Sequence, residues 1–158
     1  MLGAFRYRGR ETRGPAVVAP SDGAVVDLDP HEGKLPSEPV VETLDNRIAA
    51  IGRQPFRAKF RLRGRDRGLA QLRGPTDLRR HAHELIAKRL APAFPVKDGK
   101  QTPYRGHPVF VAQHATATCC RSCLLRNHGI EPGRELTAEE QEYVVDAICR
   151  WIELELER

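Results

Sequence analysis

Tyr143, Val144, Ala147, Ile148, Trp151 and Ile152 recur at i, i+1, i+4, i+5, i+8 and i+9. That period is helical, because in a strand the same residues would be scattered over both faces. The segment opens on Thr137-x-x-Glu140, a capping box in which side chains satisfy backbone N–H groups left open at a helix start. An amphipathic helix therefore closes the chain, with its only tryptophan on the apolar stripe. Left uncovered, that stripe would mark an oligomer-forming or purely structural protein. The acids Glu153, Glu155 and Glu157 lie where the helix dipole disfavours negative charge, which calls for fraying or an arginine partner.

Upstream patterns supply further helices. Leu44, Ile48 and Ile51 predict a short helix stopped at Gly52, with Pro55 beyond. Thr76 to Leu90 predicts another: Pro75 stands at its start, Leu78, Ala82, Leu85 and Ile86 form one stripe, and Pro92 forces a stop. Phe56 and Phe60 lie between them in a basic setting, and Gly64 and Gly68 interrupt the period after Leu62. The expected fold is mainly α, a small single domain of four or five helices over residues 41–158. Residues 1–40 are expected to form a disordered or weakly stranded extension. Pro15, Pro20, Pro30, Pro36 and Pro39 interrupt it, and Ala16 to Val18 and Ala24 to Leu28 are its candidate strands.

Any soft-metal or thiol chemistry belongs first to the stretch His107 to His128. It holds Cys119, Cys120 and Cys123, three of the four cysteines, together with His107, His114 and His128. On one straight helix, steps of about 100° put His114 and His128 on one side and the thiols on the other. A break at Ala115-Thr116-Ala117-Thr118 removes that conflict, with Thr118 as N-cap of a second helix from Cys119 to Asn127. A bend there could return His114 to the thiols. The ligand set then expected is His114, Cys120, Cys123 and His128 on tetrahedral zinc, with Cys119 as substitute thiol. Cys120-x-x-Cys123 followed by His128 is knuckle-like in spacing but lacks the fourth residue of a knuckle.

Three other readings of the cluster stand beside this one. The thiols can be small buried hydrophobes. Cys119 or Cys120 can be a nucleophile activated by a helix N-terminus and by His114 or His107, with Arg121 holding an anion. The two short helices can also form a helix-turn-helix with Arg121, Ser122 and Arg126 in a DNA groove. A deaminase site would need a glutamate that His114-Ala115-Thr116 lacks, and an iron–sulfur cluster would need a fourth neighbouring thiol. Cys149 reads as structural. His81 and His83, two apart, point to different helix faces and do not share a metal.

Charge adds a partner class. The net charge is +5, yet Arg47 to Arg89 holds thirteen basic residues against three acids. Such a concentration suits DNA or RNA through counterion release, the alternative being a solvated basic face. Candidate anion contacts are Arg57 and Arg61, then Lys100 and Arg105 in the proline-rich loop from Ala91 to Gly106, and Arg121 in the cluster. Phe56 and Phe60 either stack on bases or anchor a short helix to the core. No run approaches the roughly 18 apolar residues of a membrane span, and the basic start has no apolar stretch behind it, so the expected location is cytoplasmic, with reduced thiols and no membrane partner.

The long word from Lys97 to Arg121, KDGKQTPYRGHPVFVAQHATATCCR, resembles the signature of an uncharacterised bacterial family, the domain of unknown function 4186. The likeness runs from about Leu44 to Trp151, including Phe56, Phe60 and the C-terminal helix. It implies a domain boundary and a candidate site, and brings no activity with it. The functional expectation is a zinc-stabilised, basic, nucleic-acid-associated module. The alternative is an enzyme of unknown reaction built on His114 and Cys119 or Cys120.

Overall fold

A computed structural model describes residues 42–158, so the proposed extension and its two candidate strands lie outside the described residues. Five α-helices and one 3-10 turn account for the regular structure, and there is no strand among the described residues. The helices are α1 (Leu44–Gly52), α2 (Gly64–Arg89), α3 (Pro108–Ala115), α4 (Arg121–His128) and α5 (Ala138–Leu156), with the 3-10 turn at Arg57–Lys59. The mainly helical fold read from periodicity is therefore the fold observed. No helix among the described residues is long and apolar enough to cross a membrane.

The local signals explain most boundaries. The Thr43 hydroxyl accepts the Asn46 N–H at 3.2 Å to open α1, and the Thr137–Glu140 box opens α5 in both directions. One expectation fails: Gly64 and Gly68 do not interrupt helix, since α2 begins at Gly64 and runs through Gly68. Tertiary contacts override the weak local propensity there. Ala70 is buried, and Arg67 donates to the open carbonyls of Glu155 (2.6 Å) and Leu156 (3.0 Å) at the end of α5. The real discontinuity is at Gly74, whose φ of 73° and ψ of 171° only glycine adopts readily, followed by Pro75 with no N–H to donate.

Helix α5 packs against α1, α2 and α3, and α3 also packs on α2. Leu78, Ala82 and Ile86 of α2, Val109 and Ala112 of α3, and Val144, Ile148 and Ile152 of α5 form the centre of the core. Trp151 is buried as well, so the apolar face of α5 is covered by its own chain. Two of the acids at its end, Glu153 and Glu155, have the arginine partners the sequence calls for. Buried Glu155 accepts the Leu62 N–H at 2.9 Å and pairs with Arg61 (3.2 Å) and Arg158 (2.7 Å).

Arg121 ties the remaining pieces together. Its guanidinium donates to the carbonyls of Leu90, Ala91 and Pro92 after α2, and of Glu131 and Arg134 before α5, at 2.8–3.4 Å. At 1% exposure it is shut off from solvent. Replacing it with methionine is expected to cost about 3–5 kcal/mol, the scale of removing one partner from a buried charged network. Urea denaturation checks this, with exposed Arg126→Ala as the control whose midpoint should not move. Equal midpoints for the two variants would contradict the role.

Candidate metal centre

Helix α3 starts as Pro108 at the first helical position dictates, with the His107 Nδ1 accepting the Val109 N–H at 3.2 Å. It ends at Thr116, and Ala117 takes a left-handed backbone with φ 56°. The chain breaks where the threonines predict. Thr118 does not cap the next helix, however. Its N–H donates to the Gln113 carbonyl at 2.8 Å, its carbonyl accepts from Gln113 Nε2 at 3.1 Å, and its hydroxyl meets that of Thr116 at 3.0 Å. With Thr118 held in the interior, the N-cap moves to Cys120 and α4 starts at Arg121. The side-chain acceptor there comes from the Lys97–Lys100 turn, where Asp98 accepts the Arg121 N–H at 3.1 Å.

This reversal gathers the sulfurs of Cys119, Cys120 and Cys123 within 4.8 Å of one another. All three are free thiols, and the Cys119 and Cys123 sulfurs stand 3.7 Å apart. A disulfide would require about 2.05 Å. Tetrahedral zinc with bonds of about 2.3 Å to sulfur separates its ligands by roughly 3.8 Å, so the spacing fits a shared metal. Arg57 enters the cluster from the 3-10 turn. It is buried and donates to Cys123 Sγ at 3.1 Å, to Cys119 Sγ at 3.6 Å and to the His114 carbonyl at 2.7 Å. Burial works against its charge, but contact with Cys119 and Cys123 leaves its pKa raised. Hydrogen bonds from Cys119 and Cys123 draw the Cys120 thiol strongly down, while the same contacts and burial push Cys119 up. The shared hydrogen bonds thus favour a thiolate within the cluster.

The two histidines of the expected ligand set are not in that group of neighbouring donor atoms. His128 has both nitrogens engaged: Nε2 donates to the Thr116 carbonyl at 2.8 Å, which leaves Nδ1 to accept the Tyr143 hydroxyl at 2.9 Å. His114 differs. Its Nε2 lies 3.1 Å from the Thr102 carbonyl, which can only accept, so the proton sits on Nε2. Nδ1 is then a bare lone pair, fully buried and without a partner. Burial lowers the pKa of this ring, keeping it neutral. Elsewhere His81 contacts His107 (3.1 Å) and His83 contacts Glu142 (3.2 Å), so the pair on α2 face different partners as their spacing requires.

A family model, domain of unknown function (DUF4186), matches residues 45–153. The chain belongs to this family. No solved structure matches it. The DUF4186 match takes in all three clustered thiols, Arg57 and His114, and it also includes Cys149, which is half-buried on α5 outside the thiol group.

The expected anion contacts of the DUF4186 domain divide by burial. Arg57 faces the thiols and Arg121 the five carbonyls, so both guanidinium groups are taken, and Arg121 cannot act as a groove contact or an anion holder. Arg61 is exposed although paired with Glu155, and Lys100 and Arg105 are exposed with no ion pair among the described residues. Sequence reasoning missed Arg57 as the cation of the cluster, because nothing local to residue 57 signals a contact with Cys123. Cys119, treated there as a substitute, is a full member.

His128 generates a pH prediction. Burial, chiefly, holds its folded pKa below the ordinary 6.5. Its contribution to stability is complete above 6.5 and is lost as pH falls below that value, because the unfolded chain takes up a proton the folded site refuses. His107 and His114, also lowered by burial, act in the same direction. Urea midpoints on either side of pH 6.5 should fall on the acid side, less steeply in His128→Gln; an unchanged slope would contradict the assignment.

Proposed function

We propose that this chain is a zinc-stabilised, nucleic-acid-associated module whose metal is held by Cys119, Cys120, Cys123 and Nδ1 of His114. The observation that carries the metal reading is the gathering of three free thiols within 4.8 Å, with one pair at 3.7 Å. Thiolates are soft donors and select zinc over magnesium or calcium. The His114 ring is already in the tautomer a ligand needs, its second nitrogen fixed by a backbone carbonyl as in many liganding imidazoles. Cys119 takes the place expected for His128. Three thiolates and one divalent cation leave a single negative charge, and the buried Arg57 guanidinium balances it. That balance gives a physical reason for a buried arginine beside cysteines.

The centre would be structural. Bound zinc would join the end of α3, the head of α4 and, through Arg57, the 3-10 turn, with a gain in folding free energy. The exposed cation Arg61 follows the 3-10 turn and Lys100 and Arg105 precede α3, and a polyanion binding there would release counterions. A thiol enzyme is the second reading, favoured by the depressed Cys120 thiol at the head of α4. Its burial, 6% exposed, favours a ligand over a nucleophile open to substrate. Alkylating probes that modify Cys120 equally fast with and without metal would favour the enzyme.

Elemental analysis of the purified chain should find one zinc, lost in Cys120→Ser and His114→Ala and kept in Cys149→Ser. Binding to nucleic acid should weaken steeply with added salt. An absence of zinc together with no affinity for nucleic acid at low salt would contradict the proposal. Arg57→Met should reduce zinc affinity roughly 10–100-fold, as loss of an outer-shell partner does, in competition with a chromogenic chelator. Unchanged affinity would remove Arg57 from the centre.

A further inference from the structure

We propose that the surface formed by Phe56, Phe60 and Tyr104 stacks unpaired nucleobases, so that the nucleic acid of the reading above, on which this rests, is single-stranded. Phe56 is 45% and Tyr104 60% exposed, unusual for large rings that touch a core residue. They are not scattered. Phe60, half-buried against the core, meets Phe56 edge-on at 5.3 Å and lies nearly parallel to Tyr104 at 6.1 Å, with 11° between the planes. His114 lies parallel behind both, 4.5 Å from Tyr104 and 5.1 Å from Phe60. The Arg57 guanidinium sits over the Phe56 ring at 5.0 Å. The rings are thus held in fixed orientation by the two residues that also serve the thiol cluster.

The segments that carry them hold charge of one sign, although Arg61 pairs with Glu155 of α5 at 3.2 Å. The segments that supply the rings, from Asn46 to Arg65 and from Gly99 to Ile130, contain no aspartate or glutamate at all. Within them Arg53, Lys59, Arg61, Arg63, Arg65, Lys100, Arg105 and Arg126 are exposed. Lys59 and Arg61 flank Phe60, and Arg105 follows Tyr104. Exposed rings on a chain rich in cations match a strand with phosphates along one edge and flat bases along the other. In a duplex the base faces are stacked on one another, so only an unpaired strand can offer them. A purely electrostatic surface would need the cations alone and gives no reason for the rings to stay exposed.

The test is fluorescence anisotropy of the zinc-loaded protein with labelled oligothymidylate, oligouridylate and a DNA duplex of equal length. Wild type should bind the single strands more tightly than the duplex. Tyr104→Ala and Phe56→Ala should each weaken single-strand binding about tenfold, within the range of one lost base–aromatic stack. Their duplex binding and melting temperature should not change, and Tyr104→Phe should bind as wild type. If wild type binds the duplex in a salt-dependent manner but the alanine variants keep their single-strand affinity, or if duplex and single strands bind equally, the stacking surface is refuted and the nucleic-acid reading survives. If wild type binds none of the three at low salt, both fall together.

Discussion

The site depends on one chain reversal, between His114 and Cys119. A left-handed alanine costs of order 1 kcal/mol or more and persists only where its surroundings over-determine it. Here they do. The His114 carbonyl accepts from Arg57, that of Thr116 from His128, that of Thr118 from Gln113, and that of Cys119 from the Thr102 hydroxyl. Buried carbonyls must find donors, and these four find them on side chains from four separate parts of the chain. Thr116 and Thr118, both fully buried, complete the set with hydroxyl contacts. Because this turn is fixed, α3 and α4 cannot merge into the straight helix that would hold the thiols apart from His114.

Two buried arginines divide the structural work. Arg121 binds the loop after α2 to the loop before α5 by donating to carbonyls, while Arg57 supplies positive charge to sulfur. The overall basic character of the chain therefore has two origins. One part is internal, in these two residues; the other is exposed, on the segments that carry the aromatic rings and along α2. Only the exposed part is open to solvent, and of it the cations near the rings in sequence lie on segments free of acids. Arg57 donates to the His114 carbonyl at the turn, and Arg57 and His114 also contact the rings.

Periodicity made α1, α5 and the second half of α2 legible, because each carries an uninterrupted apolar stripe and a recognisable start. The break before Cys119 was legible too, from the poor helix propensity of paired threonines. The first half of α2 was not, since Gly64 and Gly68 hide a helix held mainly by Ala70 and by Arg67 reaching another element. Assignment of site residues met the same limit. His128 and His114 look alike in sequence, and only the Tyr143 hydroxyl and the Thr102 carbonyl distinguish a saturated ring from one with a free nitrogen. An arginine's burial is likewise invisible locally: Arg57 and Arg61, four residues apart, face sulfur and solvent.

The central claim is a metal shell of three sulfurs and one nitrogen. X-ray absorption at the zinc edge on the purified protein measures that shell directly. The proposed ligand set predicts three sulfur neighbours at about 2.3 Å and one imidazole nitrogen at about 2.0 Å. A shell of two sulfurs and two nitrogens, or one made only of nitrogen and oxygen, would contradict it.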